Sequence, residues 1–205
     1  MGGALMGPRH APVQDRSRAM VDRLLEAATR VLAERGYAGL STNRVAAVAG
    51  VSVGSLYRYF GDKDDLVREL RVRSTADILA DLTTVLSAAA PLATRDAIRE
   101  VIATLVAALQ RHRALTAALV NEVPLGAQSN VLPEVEQQLA QFTRMFVAIH
   151  APHLEPAEAE ARIYLALGVT LSSCLRIALD PPVGIPEQRL VDLTADLLHT
   201  GLVLS

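Results

Sequence analysis

Residues 42–60, TNRVAAVAGVSVGSLYRYF, contain the side chains best suited to binding an anion or a nucleic acid. The stretch combines hydroxyl groups, phenols and guanidinium groups, and it contains no acidic residue. These groups donate hydrogen bonds to phosphate oxygens, and the fork of an Arg also fits the edge of a guanine. The candidate contacts are Thr42, Arg44, Ser52, Val53, Gly54, Ser55, Tyr57, Arg58 and Tyr59.

Two short helices are required to position this set. Thr42 can cap a helix over residues 43–49 that ends at Gly50, and Ser52 can cap a second helix over residues 53–60. Two helices of this size with a tight turn between them have the dimensions of a helix-turn-helix. Each cap residue either serves its helix alone or also holds a phosphate at the helix N-terminus.

The second of these helices has two distinct faces. At about 100° per residue, Val53, Leu56 and Phe60 fall on one side and are expected to pack inward. The opposite side presents Gly54, Ser55, Tyr57 and Arg58, with Tyr59 at its edge. This outward face suits a helix that enters the major groove of DNA. The alternative is that the tyrosines belong partly to the core and that Arg58 is only solvated.

Helical periodicity extends over the rest of the chain, and the sequence predicts an all-α protein of about nine helices. The first runs over residues 15–35. The fourth begins at Lys63, behind the cap Asp62, and continues to about residue 86. The later helices are predicted over residues 94–110 (with Thr94 as the cap), 114–123, 134–149, 157–179 and 187–202.

Residues 20–66 resemble the DNA-binding region of the tetracycline-repressor (TetR) family of transcriptional regulators. The residues that carry the resemblance are Gly36-Tyr37, Thr42, Val45-Ala46, Ala49-Gly50-Val51-Ser52, Gly54, Leu56-Tyr57, Tyr59-Phe60, Lys63 and Leu66. Many family members have His where this chain has Tyr59, and a Tyr can still donate to a phosphate. The resemblance implies a homodimer that binds a palindromic double-stranded DNA operator, and a variable helical domain that binds a small-molecule effector.

The resemblance also implies roles for single residues. Lys63, the only lysine in the chain, matches a phosphate-clamping lysine, although it could instead be a solvated helix cap. Tyr57 and Tyr59 match positions that contact phosphate or stack near sugar and base. Arg44 faces either DNA or solvent. The candidates for contact with base edges are Val53, Ser55 and Arg58.

Charge is distributed unevenly along the chain. Residues 1–75 carry 12 basic and 8 acidic side chains, whereas residues 76–205 carry 8 basic and 14 acidic ones. This asymmetry suggests that the first third meets a polyanion. The predicted organisation is a flexible arm over residues 1–14, a helix-turn-helix domain over 15–62, and an effector-binding and dimerisation domain over 63–205.

The larger domain gives weaker signals for a ligand site. A pocket needs a few polar groups within an apolar lining. The candidate ligand contacts are His112, Thr116, Asn121, Gln141, Met145 and Ser173. Phe142, Met145 and Phe146 also form a helical stripe that favours core packing over a pocket wall. The chemistry of the effector does not follow from these residues.

Apolar stripes on the last two predicted helices indicate either a dimer interface or the core of a single protomer. The candidate interface residues are Tyr164, Leu167, Gly168, Leu171, Leu175, Leu190, Leu193 and Leu197. Gly168 is small enough to permit close approach of two helices. The resemblance favours a two-fold homodimer in which both subunits use the same surface.

An enzyme is the main alternative class, and the sequence gives it little support. It contains no phosphate-binding glycine loop, no nucleophile elbow and no carboxylate pair beside a His. Asp62, Asp64 and Asp65 are explained by their place at a helix start, so neither a metal nor another cofactor is expected. Two further alternatives are a transcriptional activator and a DNA-binding protein of this fold without ligand control.

Cys174 is the only cysteine, which excludes an intramolecular disulfide and fits a reducing compartment. No apolar stretch reaches the roughly 18–20 unbroken residues that a bilayer requires. The first residues lack the pattern of a secretory signal. The expected location is the cytoplasm, with no membrane partner.

Overall fold

The computed structural model describes residues 11–89, 92–121 and 132–203. These residues form nine α-helices and no strand, which confirms the predicted all-α class. The helices are α1 (Ala11–Arg35), α2 (Thr42–Ala49), α3 (Val53–Tyr57), α4 (Lys63–Ala89), α5 (Thr94–Arg111), α6 (Arg113–Asn121), α7 (Pro133–His150), α8 (Pro156–Leu179) and α9 (Glu187–Val203). The chain divides into two compact units, Met1–Arg71 and Val72–Ser205, and the division falls within α4.

Most helix bounds agree closely with the sequence prediction, and the main differences are the start of α1 and the end of α3. Helix α1 begins at Ala11, so residues 11–14 are helical although the sequence assigned them to an arm. Residues 1–10 of that arm lie outside the described residues. Helix α3 ends at Tyr57, whereas the prediction extended it to residue 60.

Two predicted helix caps are wrong. Ser41, not Thr42, caps α2: its backbone is extended, and its Oγ accepts a hydrogen bond from the Arg44 N–H at 3.4 Å. Thr94 is the first residue of α5, and Ala93 precedes it without a side-chain cap. In both cases the helix begins one residue before the predicted start, which turns the expected cap into the first helical residue.

Two other predicted caps are confirmed. The Ser52 Oγ accepts a hydrogen bond from the Ser55 N–H at 3.0 Å, at the start of α3. The Asp62 Oδ1 accepts one from the Asp65 N–H at 2.8 Å, at the start of α4. Each satisfies an N–H group that would otherwise lack a partner in the first turn of its helix.

The first unit has a small core in which α1, α2 and α3 meet. Its buried side chains on α1 are Leu24, Leu25, Ala27, Ala28, Val31 and Leu32. Val45 and Ala46 of α2 and Leu56 of α3 are also buried, the last of them completely. The burial of these side chains stabilises the unit and leaves the opposite side of α3 in solvent.

The second unit is built around α5, α7, α8 and α9. Its most deeply buried side chains include Leu105, Val106, Val135, Cys174 and Ala195. The surface side of the α5–α9 contact is an ion-pair network. Arg99 donates to Asp192 at 2.9 Å, and Arg95 donates to Asp196 at 2.7 Å. These pairs link α5 to α9 at the surface of the unit.

Helix α8 is unusually apolar. An 18-residue window within Pro156–Leu179 has a mean hydropathy of 1.4, which gives it the length and composition of a membrane span. No such segment was expected from the sequence, because no apolar run there is unbroken over that length. The core helix of a folded domain meets the same criteria, and α8 packs against α5, α7 and α9. Only 33% of the window is buried, so the helix is apolar on its exposed side as well.

We expect the Cys174 thiol to react slowly in the folded protein. It is fully buried in the second unit, and burial raises its pKa to about 12, so very little nucleophilic thiolate forms near neutral pH. Alkylation with iodoacetamide, followed by mass spectrometry, should be slow in buffer and rapid in urea. A Cys174→Ala variant that carries Ala107→Cys on the exposed side of α5 is the control and should react at once. Equally rapid alkylation of the unmodified folded chain would contradict the packing of α8.

Candidate nucleic-acid interface

The corner between α2 and α3 is formed by Gly50 and held by Arg23. Gly50 adopts a left-handed conformation (φ 65°), and its N–H bonds to the carbonyls of Ala46 and Ala47 at the end of α2. Arg23 of α1 donates from Nε to the Ala49 carbonyl at 2.6 Å and from Nη2 to the Gly50 carbonyl at 3.0 Å. Helix α1 therefore caps the C-terminus of α2 and fixes the direction in which α3 departs.

Helix α3 ends in a tightened turn. The Tyr59 N–H bonds to the Leu56 carbonyl at 2.9 Å, and the Phe60 N–H bonds to the same carbonyl at 3.0 Å. Hydrogen bonding thus continues to Phe60, although the regular helix stops at Tyr57. The Tyr59 bond spans three residues, as in a 3₁₀ helix, and the Phe60 bond spans four. Leu56 and Phe60 are buried as predicted.

The outward face of α3 is exposed as predicted. Its exposed residues are Gly54, Tyr57, Arg58 and Tyr59, and Ser55 is half-buried. Val53, which was predicted to pack inward, is also only half-buried. Tyr57 is 54% exposed, which argues against the alternative that it belongs to the core. A Cβ added at Gly54 would meet only the Ser52 Oγ, at 3.9 Å. The fold itself therefore has room for a side chain at Gly54.

Pairs of hydroxyl groups line this face. The Thr42 Oγ1 of α2 lies 3.2 Å from the Tyr57 hydroxyl of α3, and the Ser52 Oγ lies 2.8 Å from the Ser55 Oγ. In each pair one hydroxyl donates to the other, so one O–H remains available to a further acceptor. The arrangement ties α2 to α3 and still offers donors to a phosphate.

Arg44 is partly occupied by the fold. Its Nη1 donates to the Gly39 carbonyl at 2.6 Å, while the side chain remains exposed. Arg44 was expected to face either DNA or solvent, and it also contacts the connection between α1 and α2. The other guanidinium donors remain free to bind an anion.

Lys63 stands at the N-terminus of α4 beside Tyr37. Its Nζ lies 3.9 Å from the centroid of the Tyr37 ring. The Tyr37 hydroxyl donates to the Asp64 carboxylate, and this bond is the largest cause that raises the pKa of Tyr37 to about 12. Burial and the charges of Asp64 and Asp62 act in the same direction. The phenol therefore remains a donor throughout the physiological range.

Sequence reasoning missed the positions that hold this surface in place. Arg23 received no role, because its acceptors lie 26 and 27 residues further along the chain and no local pattern links them. Tyr37 entered only as part of the family resemblance. Ser41 had a usable signal, since a Ser directly before Thr42 is an equally good cap.

The structure does not bring the candidate ligand contacts together. Thr116 is buried and donates to the His112 carbonyl at 3.0 Å, so these two are neighbours. Gln141 and Met145 are exposed on α7, and Ser173 is half-buried on α8. The side chain of Asn121 lies outside the described residues.

His112 lies in a partly buried polar environment. Its Nε2 is 3.5 Å from the Asp77 carboxylate and forms no hydrogen bond. Burial lowers the pKa of His112, and the charge of Asp77 opposes that shift. The imidazole is therefore more often neutral near pH 7 than a solvated histidine would be.

A small apolar cavity of about 40 Å³ lies between α5, α7, α8 and α9. It is lined by Ile98, Val101, Ile102, Leu139, Phe142, Thr143, Phe146, Ala166, Leu167, Thr170, Leu198 and Leu202. No charged side chain is among these residues. Phe142 and Phe146, which the sequence placed in the core, belong to the core and to this wall. Met145, the third residue of the predicted stripe, is 58% exposed, so its assignment to the core was wrong. None of the candidate ligand contacts lines the cavity.

The candidate dimer residues divide between two faces. Tyr164 is 78% exposed and Leu197 is 67% exposed, and Gly168, one turn after Tyr164 on α8, is exposed as well. Leu167 is buried within the protomer, so its assignment to an exposed stripe was wrong. It lies about 60° around α8 from Tyr164, which turns it towards the core. The half-buried members are Leu171, Leu175 and Leu190, and Leu193 is exposed.

Among the described residues, no group of three or more His, Cys, Asp or Glu side chains could hold a metal ion. Asp62, Asp64 and Asp65 instead hydrogen-bond to the backbone or to neighbouring side chains.

Sequence comparison identifies relatives among bacterial regulators. Residues 24–70 match the family model described as bacterial regulatory proteins, tetR family, and residues 91–200 match the model of a tetracyclin repressor-like C-terminal domain. An HTH-type transcriptional repressor from Mycobacterium tuberculosis is 36% identical over 118 residues, which cover 57% of this chain and 55% of the relative. The regulator HbdR from Aromatoleum sp. is 42% identical over 45 residues, 22% of this chain and 20% of that protein. The chain thus spans about half of the mycobacterial relative and a fifth of HbdR.

Solved structures have the same fold. A TetR-like transcriptional regulator from Rhodococcus sp. RHA1 superimposes with a TM-score of 0.67 at 22% identity, over 89% of this chain and 95% of that one. The fatty acid degradation regulator FadR from Bacillus halodurans gives 0.67 at 17% identity, over 95% and 96%. The two family models between them cover the helix-turn-helix and more than half of the chain. The chain belongs to the TetR family of DNA-binding transcriptional regulators.

Proposed function

We propose that this regulator is a repressor that binds a palindromic operator as a homodimer and leaves it when a small ligand binds. The observation that carries the proposal is the outward face of α3, where Gly54, Tyr57 and Arg58 are exposed and no acid is present. An activator, or a regulator of this fold without ligand control, would have the same face. Relatives of this family are regulators rather than enzymes, and we extend that to this chain.

The contacts with DNA fall into two groups. Hydroxyls and the ammonium group are proposed to position the protein on phosphates, because they carry no geometry that selects a base. These residues are Thr42, Arg44, Ser52, Tyr57, Tyr59 and Lys63. Arg58 is proposed to read a guanine, with Val53 and Ser55 against neighbouring base edges. Gly54 lets the backbone of α3 approach the groove.

The exposed apolar side of α8 and α9 supports a homodimer. Tyr164, Leu165 and Leu197 are each at least 65% exposed, and such a patch on a folded unit marks an interaction site. A second copy supplies an identical apolar surface, which makes a two-fold contact self-complementary. The two α3 helices would then face one side of the duplex, in half-sites about one helical turn apart or somewhat further.

The apolar cavity of the second unit supports a neutral effector. Its volume of about 40 Å³ is well below the roughly 300–1,000 Å³ of typical ligand pockets, so ligand entry requires the helices to separate. A charged ligand would lose its hydration without gaining a partner there. An effector that prefers the separated arrangement would shift the dimer to a state that binds DNA poorly. We place the protein in the cytoplasm, where its operator would lie.

The proposal is tested by selecting bound fragments from a random-sequence DNA pool and footprinting the best duplex. A repressor of this kind protects two symmetric half-sites, with two protomers per duplex. One protomer per palindrome, or affinity that does not depend on sequence, would contradict it. Mapping bound sites across the genome then identifies neighbouring genes, from which candidate effectors can be chosen.

Gly54→Ala is expected to weaken operator binding without weakening the fold. The Cβ meets nothing closer than 3.9 Å, and Ala favours a helix over Gly by about 0.5–1 kcal/mol. Thermal melting and operator titration measure the two effects. Gly39→Ala is the matched control, because its Cβ would lie 2.5 Å from Arg35 atoms and should lower the melting temperature. Unchanged operator affinity in Gly54→Ala would show that α3 does not approach DNA closely at this point.

Arg58→Ala and Lys63→Ala are expected to affect binding differently. Loss of Arg58 should cost about 1–3 kcal/mol on the operator and relax the preference at one base pair. Loss of Lys63 should weaken operator and random DNA alike, and should reduce the salt slope by about one unit per protomer. Titrations at several salt concentrations on both duplexes measure this. Identical losses on every duplex would overturn the division of roles.

Leu197→Arg is expected to dissociate the dimer and leave the protomer folded. The position is 67% exposed, so the charge is tolerated in the protomer, whereas a paired interface would bury two unpartnered guanidinium groups. Sedimentation and circular dichroism measure association and folding. Ile149→Arg on α7, at a site 65% exposed, is the control and should leave a dimer. Leu171 is half-buried in the protomer and separates the two effects less well. A dimeric Leu197→Arg variant would exclude this face.

A further inference from the structure

The only lysine of the chain lies in an acidic surrounding. Lys63 is flanked by Asp62, Asp64 and Asp65, so three carboxylates lie within two residues of its ammonium group in the sequence. A carboxylate that pairs with the ammonium would neutralise it and compete with a DNA phosphate for the same donor. Whether Lys63 can bind phosphate therefore depends on where these three carboxylates are directed.

The structure engages two of the three carboxylates within the turn before α4. Asp62 accepts a hydrogen bond from the Asp65 N–H at 2.8 Å. Asp65 accepts one from the Gly61 N–H at 2.9 Å and pairs with Arg68. The hydrogen bond from the Gly61 N–H is the largest cause that lowers the pKa of Asp65, and the bond from Arg68 is the second. Both carboxylates are thus held by partners other than Lys63.

Tyr37 engages the third carboxylate. Its hydroxyl donates to the Asp64 Oδ1 at 2.5 Å. Because the phenol stays protonated up to a pH of about 12, this bond persists at every physiological pH. Tyr37 comes from the connection between α1 and α2, directly after Gly36, whose φ of 64° turns the chain at the end of α1. The carboxylate is therefore held from outside α4.

The ring of the same tyrosine seats the ammonium group. The Lys63 Nζ lies 3.9 Å from the ring centroid, well within the range of a cation–π contact. Among the described residues, no carboxylate oxygen lies within 4.0 Å of this nitrogen. An aromatic face attracts a cation but does not neutralise its charge, so the N–H groups that point away from the ring stay available.

We propose that Tyr37 is a positioning residue for DNA binding. Its ring holds the ammonium of Lys63, and its hydroxyl holds the carboxylate of Asp64 away from that ammonium. Lys63 is thereby kept oriented and unpaired for a phosphate of the DNA backbone. This inference rests on the proposed phosphate contact of Lys63 and adds the groups that make the contact possible.

A double-mutant cycle tests the proposal on the full-length protein with a random-sequence duplex. Tyr37→Leu removes the ring and the hydroxyl and should weaken DNA binding about threefold to tenfold. In a Lys63→Ala background the same change should cost nothing further, because the group it positions is gone. An equal loss in both backgrounds would mean that Tyr37 acts only through the stability of the fold, and would overturn the proposal.

A second pair of variants tests the role of the hydroxyl. Tyr37→Phe keeps the ring and frees Asp64 to pair with Lys63, so binding should weaken. Adding Asp64→Asn removes the competing charge and should restore binding to within about twofold of the unmodified protein. No recovery in the double variant would overturn the role assigned to the hydroxyl. Both variants keep an aromatic ring at position 37, so they still test the proposal if Tyr37→Leu fails to fold. Thermal melting shows whether each variant is folded.

The two proposals fail in different ways. If Lys63→Ala alone leaves both affinity and salt slope unchanged, the phosphate contact is wrong, and Tyr37 has nothing to position. If Lys63→Ala weakens binding and Tyr37→Leu does not, the contact stands and the positioning role of Tyr37 is overturned.

Discussion

The reversal of the chain at Gly50 depends on a left-handed backbone that few residues other than glycine adopt readily. Arg23 stabilises the reversal from outside, since its guanidinium group binds the last two carbonyls of the corner. A hydrogen bond from a charged donor contributes about 1.5–3 kcal/mol. This is a large fraction of the net free energy of unfolding expected for a unit with so small a core. The position of α3, and with it every outward side chain from Val53 to Arg58, follows from this corner.

In the first unit, several polar side chains both stabilise the fold and belong to the surface proposed to bind DNA. Thr42, Ser52 and Arg44 each make a contact within the fold, and each contact leaves one donor available, on that residue or on its hydroxyl partner. Such double use keeps donors ordered before DNA arrives, and ordering before binding lowers the entropy cost of association. The second unit has the opposite character, with an apolar interior and an apolar outer side on α8 and α9. Its ion pairs lie at the surface, as between α5 and α9 and between α7 and α8.

Periodicity and capping preferences predicted the number, order and approximate bounds of the helices, because each depends on residues close together in the sequence. The outward face of α3 followed from the same local geometry. Arg23 and Tyr37 could not be found in this way, since their partners lie more than 25 residues away. Leu167 was assigned to the wrong surface because an apolar stripe does not indicate whether it packs within a protomer or between protomers. A residue about 60° around the helix from Tyr164 can belong to the core or to an interface. The apolar cavity could not be predicted either, because it lies between four helices whose packing depends on residues far apart in the sequence.

Helix α8 has apolar side chains on its exposed side as well as on its buried side, and in the proposed dimer this would affect how the protein persists at low abundance. For a chain whose outer face is covered by a second copy, folding and association share one equilibrium, so the stability of the fold rises with its own concentration. In the proposed dimer, dilution would do more than release protomers. It would return exposed Leu, Val and Tyr side chains of α8 to water and make the separated chain a substrate for proteases and for aggregation. The lower limit on the useful number of copies in a cell would then be set by the surface chemistry of one helix, independently of how tightly the protein binds DNA.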